Sequence, residues 1–301
     1  MTWRRVIAGT LLAALATGSG AIGWKTREEA HALIANPMET RRLPGRTPID
    51  FGVIYDDVSI TTPDGLRLAG WSIPSQNGAL VIAQHGYKAD RGEMLNEAAM
   101  LHRHGYGVLI PAMRAHDLSD GSVISFGAKE IDDLQRWFAF SATLPGVDAS
   151  RIGILGNSLG GTLAIQMAAR TPAVRAVVAN AAFSSLSDTL ETSIRFFTGM
   201  PPFPFAPLIT FWAERATGMR VRDVDATRVI AQISPRPVLL MQGGADEVIS
   251  TTSGQRLYDA AHEPRSLWFD PQVGHARFDT ARPAEYERRV VALFESALIR
   301  P

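Results

Sequence analysis

The sequence has no cysteine in 301 residues. That excludes disulfides, thiolate metal sites and a thiol nucleophile, and it leaves the redox compartment open. There is no excess of charge either. The 30 Lys and Arg balance 30 Asp and Glu, and no basic run is interleaved with aromatics, so nothing points to nucleic acid as a partner. Internal repeats and low-complexity tracts are also missing. What is present is 46% hydrophobic residues, enough at this length for the core of one large α/β domain or two small ones.

The N-terminus carries the one long uncharged run. Arg4 and Arg5 precede Val6 to Trp24, with Leu11, Leu12 and Leu15 as its most apolar part and small residues around and after them. A positive start, an apolar centre and a small-residue exit read as a secretory signal, cleavable after Ala14-Leu15-Ala16, or as an uncleaved signal-anchor. The expectation is an extracytoplasmic protein, secreted, periplasmic or held to the membrane by residues 1–24. Residues 25–50 read as a connector, with an amphipathic piece from Glu28 to Ile34 followed by Pro37, Pro44, Gly45 and Pro48. The domain proper then covers 51–301.

Val53 to Ile60 and Leu66 to Ile73 flank Thr62-Pro63-Asp64-Gly65. Pro presets φ and Gly supplies a positive φ, so these are two strands of an antiparallel hairpin. From residue 79 the pattern changes to short apolar runs alternating with helical stretches. Strands are expected at Ala79 to Ala83, Gly107 to Ile110, Arg151 to Leu155, Val174 to Ala179, Pro237 to Met241 and Ser266 to Phe269. Helices are expected from Asp90 to His104, opened by the capping box Asp90-x-x-Glu93, and over Ser125 to Phe140, Thr162 to Arg170, Gly254 to Ala261 and Ala284 to Arg300. Alternation of this kind gives a mostly parallel sheet with helices on both faces. Residues 184–233 break it: they hold no strand and are rich in Phe and Pro. This insertion is expected to be a helical lid over an apolar pocket.

The chemistry centres on Gly156-Asn-Ser158-Leu-Gly160-Gly161, set between a strand and an Ala-rich helix. That is the context a G-x-S-x-G nucleophile elbow requires: a sharp turn that lifts the serine above the sheet edge and points helix N–H groups at it. A serine hydroxyl needs a base, and histidine titrates near neutrality. Of seven histidines, His275 lies in the short loop after the last strand, at the sheet edge that also carries Ser158. His85 adjoins Gly86 in a turn and reads as scaffold, His116 sits in a polar loop, His262 ends a helix, and His31, His102 and His104 lie elsewhere. Asp246, in the loop after the preceding strand, is placed to orient His275. Its neighbour Glu247 is expected to point away, and Asp270, before Pro271, to cap a turn. The order Ser, Asp, His, each after its own strand, belongs to one fold.

On these motifs, with His85-Gly86-Tyr87, Gly243-Gly-Ala-Asp246 and Gly274-His275, the chain resembles the α/β-hydrolase superfamily over about residues 50–298. It is most similar to the esterase-like and serine aminopeptidase-type, prolyl peptidase-like, branch. The resemblance implies Ser158 as nucleophile, His275 as base and Asp246 as orienting acid. It implies an oxyanion hole made by the backbone N–H groups of Tyr87 and Leu159, with neither metal nor organic cofactor. The family's Asp-x-Arg-Gly-His-Gly-like loop here reads Ala112-Met-Arg114-Ala-His116-Asp117, keeping Arg114 and His116 but losing the leading Asp and the glycines. The pattern His85-x-x-x-x-Asp90 also spells an acyltransferase-like motif, but Asp90 is better explained as a helix N-cap. The substrate expected is a small ester or thioester with an apolar acyl group. A serine aminopeptidase would need an acid to bind an amine, for which Glu191 and Glu214 in the insertion are candidates. A non-catalytic binding protein on the same fold is the remaining reading.

Overall fold

The computed structural model describes residues 20–299. Residues 1–19, most of the expected leader, lie outside the described residues; residues 20–34 form a helix, α1. No helix among the described residues is long and apolar enough to cross a membrane.

Eight strands form one sheet: β1 (Asp56–Thr61), β2 (Arg67–Ile73), β3 (Leu80–Gln84), β4 (Gly107–Pro111), β5 (Ile152–Asn157), β6 (Val177–Asn180), β7 (Val238–Gly243) and β8 (Arg265–Asp270). Their order is β1-β2-β4-β3-β5-β6-β7-β8. β1 and β2 pair as the expected antiparallel hairpin, and β2 joins β4 antiparallel. The remaining pairs are parallel. The hairpin turn closes as its residues dictate, with Gly65 at φ 82° and its N–H donating to Thr62 O at 3.0 Å.

The continuous apolar runs are buried on both faces. Every residue of β3, β4, β5, β6 and β7 is buried, because helices cover each side. On one face pack α3 (Glu130–Ser141), α4 (Leu159–Arg170) and α7 (Ser253–Ala260), through residues such as Trp137, Leu163 and Leu257. On the other pack α2 (Leu95–Arg103) and α9 (Pro283–Phe294), through Leu101, Val290 and Phe294; α8 (Phe278–Ala281) adds Phe278. The chain leaves β3 toward β4, reverses past β3 to β5, and continues in that direction to β6. This reversal opens a crevice beyond the carboxyl ends of β3 and β5, where an open α/β sheet receives its ligand.

α3 and the last helix differ in their bounds from expectation. α3 starts at Glu130, not Ser125, because the Glu130 carboxylate accepts from the Ser125 N–H (2.8 Å), the Ser125 hydroxyl (2.6 Å) and the Gly127 N–H (2.8 Å). Those bonds hold a turn ahead of the helix. The last helix ends at Phe294 and continues as a π-type turn over Glu295–Ile299.

The insertion after β6 folds as α5 (Leu186–Thr198), α6 (Pro202–Thr217) and three short 3-10 turns. The Ser185 hydroxyl accepts the Asp188 N–H as N-cap of α5, and Gly199 at φ 70° ends it. α1 packs on these helices: Ala30 and Ile34 are buried in one cluster with Ile194, Ala206, Ile209 and Ala213. The stretch read as a connector therefore shares a small core with the insertion.

Candidate active site

Ser158 sits between β5 and α4 at φ 55°, ψ −121°, a conformation that costs a non-glycine residue about 1–3 kcal/mol and persists only where its surroundings force it. The packing of the turn supplies that force. A Cβ on Gly156 would lie 2.3 Å from Gly160 O, and one on Gly160 would lie 2.4 Å from both Gln84 O and His85 O. Only glycine at these two positions lets the turn close on itself and on the end of β3. The Ser158 N–H donates to Asn180 O at 2.8 Å, tying the turn to β6. The helix begins directly at Leu159, earlier than the expected Thr162, so its free N–H groups lie beside the serine.

The structure brings Ser158, His275 and Asp246 together. Ser158 Oγ lies 2.8 Å from His275 Nε2, and His275 Nδ1 lies 2.8 Å from Asp246 Oδ2. Asp246 is buried, and its Oδ1 accepts the N–H groups of Val248 (2.9 Å) and Ile249 (3.0 Å). An acceptor-only carboxylate at Nδ1 fixes that nitrogen as the donor, which leaves Nε2 to accept the serine proton. Asp270 caps its turn, taking the Gln272 N–H at 2.9 Å and pairing with Arg282.

Tyr87, whose N–H was expected in the oxyanion hole, lies in a loop clamped from both sides. The Gly86 N–H donates to Glu93 Oε2 at 2.5 Å, and the Lys88 N–H donates to His116 Nε2 at 2.9 Å. His85 holds the loop to its neighbour, its Nε2 accepting the Met113 N–H at 3.0 Å. The amide between them, that of Tyr87, and that of Leu159 find no acceptor among the described residues. Burial drives His85 down to about 4 and His116 to about 3, so both are neutral rings that can accept at Nε2. His116, Arg114 and Asp117 thus give the altered loop after β4 its purpose. Arg114 binds Asp133 through two bonds (2.6 and 2.7 Å), and Asp117 pairs with buried Arg91 at 2.7 Å.

Glu93 corrects the capping-box expectation. Asp90 caps its helix by accepting the Gly92 N–H at 2.7 Å, but the Glu93 carboxylate turns to Gly86 instead. A D-x-x-E spacing fits either use; only the position of the loop after β3 decides. Beneath the elbow lies a second acid that the sequence did not single out. Buried Glu97 accepts from Asn157 Nδ2 at 3.1 Å, and Asn157 Oδ1 accepts from Asn180 Nδ2 at 3.0 Å. Tyr286 donates to the same Glu97 oxygen at 3.4 Å. Burial, aided by Asp279, pushes Glu97 up to about 8.

Two spaces meet at Ser158. One, with about 90 Å³ of enclosed space, runs under the insertion and is lined by Leu33, Phe126, Leu190, Ile209, Ala213 and Val248 among others, with no charged side chain. The other is a groove of about 490 Å³ on the His275 side, lined by Glu93, Phe196, Phe197, Glu247 and Arg277. Tyr87, Ser158, Phe197 and Val248 border both. Glu247, expected to point away, lines the groove. Glu191 and Glu214 line neither space. They border a hollow between α5 and α6 that adjoins the first space through Leu190, Thr210 and Val221, and there Glu214 accepts the Val221 N–H at 2.8 Å. Among the described residues no group of three or more acidic or imidazole ligands is placed to hold a metal.

The chain matches the X-Pro dipeptidyl-peptidase (S15) family over residues 62–198. An uncharacterised Mycobacterium tuberculosis protein is 30% identical over 224 residues, 73% of this chain and 72% of that one. The protein YfhR of Escherichia coli is 25% identical over 81% of each chain. Among solved structures, an esterase of Pyrococcus furiosus superposes with a TM-score of 0.75 at 27% identity, covering 88% of this chain and 98% of that one. An α/β hydrolase from Penicillium, at 20% identity and TM-score 0.66, shares the fold.

Proposed function

We propose that this chain, which belongs to the α/β-hydrolase superfamily on its prolyl-peptidase-like side and is a hydrolase, is a serine esterase acting on carboxylic esters or thioesters of apolar acids. The observation that carries this reading is the unbroken relay from Ser158 Oγ through His275 to Asp246, each step 2.8 Å.

Ser158 attacks the carbonyl as His275 Nε2 takes its proton, and the Asp246 carboxylate holds the imidazole and stabilises its cation. The free amides of Tyr87 and Leu159 receive the oxyanion, each such donor contributing roughly 10²–10³ in rate. His275 then delivers the proton to the leaving group. Water enters with the same imidazole as base and releases the acid. No step calls on a metal or an organic cofactor.

Ester is favoured over peptide by the chamber under the insertion. An aminopeptidase holds its substrate's amine on the acyl side and needs a carboxylate there. That chamber has no charged lining, and Glu191 and Glu214 face another hollow. The esterase of Pyrococcus furiosus points the same way, whereas the S15 match keeps amide cleavage as the competing outcome. Profiling p-nitrophenyl esters of increasing chain length against aminoacyl p-nitroanilides separates them. Each methylene that enters the chamber adds about 0.8 kcal/mol, so kcat/KM is expected to climb roughly fourfold per carbon until the space is full. Turnover of anilides alone would reverse the assignment. Failure of every substrate together with inertness to fluorophosphonates would favour a binding protein.

A further inference from the structure

The groove beside His275 differs from the acyl chamber in one respect that chemistry must use: it is charged. In the mechanism above His275 hands its proton to the departing group, so that group leaves on the imidazole side. His275 lines the groove and not the apolar chamber. The acyl chain therefore occupies the chamber and the alcohol occupies the groove.

Glu93 stands at the start of that groove. Its Oε2 and the Ser158 Cβ each lie 3.3 Å from the point where a Cβ on Gly86 would sit, so the two atoms are no more than twice that distance apart. Oε2 is used by the Gly86 N–H; the other carboxylate oxygen has no hydrogen bond among the described residues. Glu93 is exposed and lines the groove, and desolvation by the surrounding loop pushes its carboxyl upward despite the nearby His275. Among the described residues no Lys or Arg forms an ion pair with it. Arg42, whose charge it feels, is paired with Asp90 at 2.8 Å, and Arg277 makes no ion pair with Glu93 or Glu247. A carboxylate with no charged partner of its own gains from a charged group brought by a ligand. Glu247 on the same wall adds negative potential. The Phe196 and Phe197 rings, in edge contact at 5.0 Å, offer faces of the kind that alkylammonium groups favour.

We propose that the groove is a subsite for a cationic leaving group, an amino or quaternary ammonium alcohol, with the Glu93 carboxylate as its counter-charge. The proposal rests on the esterase reading and names the alcohol half of its substrate. It also distinguishes the site from an aminopeptidase, whose cation would lie on the acyl side.

The test compares two butanoate esters of nearly equal shape, 2-(trimethylammonio)ethyl and 3,3-dimethylbutyl, with acid release followed by titration. The wild-type protein is expected to favour the cationic ester about tenfold in kcat/KM, the effect of a charge pair of ~1.4 kcal/mol. The ratio should shrink at 0.5 M salt. In Glu93→Gln, whose amide oxygen still accepts the Gly86 N–H, the ratio should fall to near one. A wild-type ratio near one, or a preference that survives in Glu93→Gln, overturns the subsite. Equal loss of both esters in Glu93→Gln also overturns it, by showing that Glu93 serves the Gly86 loop alone. Calorimetric binding of hexyltrimethylammonium reads the subsite without turnover. Binding that weakens about tenfold in Glu93→Gln supports it, and no binding to the wild-type protein refutes it. A protein that binds this cation but cleaves neither ester would contradict the esterase reading, not the cation site.

Discussion

Glu97→Gln should make the protein more resistant to alkaline pH. Glu97 is fully enclosed beneath the elbow, bonded to Asn157 and Tyr286 through one oxygen, while its other oxygen has no partner. Burial raises its carboxyl from an ordinary 4.5 to about 8. Between these values the folded protein holds a proton that the unfolded chain has released, so stability falls as pH rises through the window. The slope is ~1.4 kcal/mol per pH unit, which accumulates to about 3 kcal/mol between pH 5 and pH 7. Glutamine keeps the accepting oxygen for Asn157 and never ionises. At pH 5 the variant and the wild-type protein should unfold within a few degrees of each other. The variant's advantage should then grow with pH, reaching roughly 5–8 °C in Tm near pH 8 for a domain of this size. Calorimetric melting at half-unit intervals from pH 5 to 8 measures it. Parallel curves for the two proteins would refute the reasoning, because they would mean that Glu97 is already ionised in the folded state.

Asp246→Asn should leave KM for a p-nitrophenyl ester near its wild-type value and lower kcat by on the order of 10⁴, since an amide no longer fixes the proton on Nδ1 of His275; steady-state kinetics reads both. Ala213→Phe places a ring in the chamber under the insertion and should lower kcat/KM for octanoate at least tenfold relative to acetate, with acetate little changed. An equal loss for both esters would mean that the acyl chain lies elsewhere.

Much of this was legible in the chain because the decisive signals are local. Unbroken apolar runs such as Leu80–Gln84 mark strands covered on both faces. The glycines at 156 and 160 are demanded by backbone approaches of 2.3 and 2.4 Å, and a strand before and a helix after them leave few alternatives to an elbow. Ser158, Asp246 and His275 lie together because each follows a strand, and in a parallel sheet all such loops gather at one edge. What the sequence hid was side-chain choice between two uses of similar spacing. Glu93 spells a capping box with Asp90, yet the loop after β3 comes within reach and takes the carboxylate. Glu97 reads as an exposed helix residue until β5 and α9 close over it. Glu191 and Glu214 lie on the insertion, but they line a hollow between α5 and α6 and not the space at Ser158, and linear sequence does not encode that difference. The amphipathic piece from Glu28 to Ile34 was visible, but its partner surface on α5 and α6 is built from residues about 160 or more positions away.

Hydrolysis by this chain requires that the Ser158 hydroxyl be made reactive by His275 and Asp246. Labelling the purified protein with a fluorophosphonate and mapping the adduct by peptide mass spectrometry tests that directly. A single adduct on Ser158, formed slowly or not at all in His275→Ala and accompanied by a roughly 10⁶-fold loss of kcat in Ser158→Ala, is the expected result. Labelling or turnover that survives Ser158→Ala would contradict it.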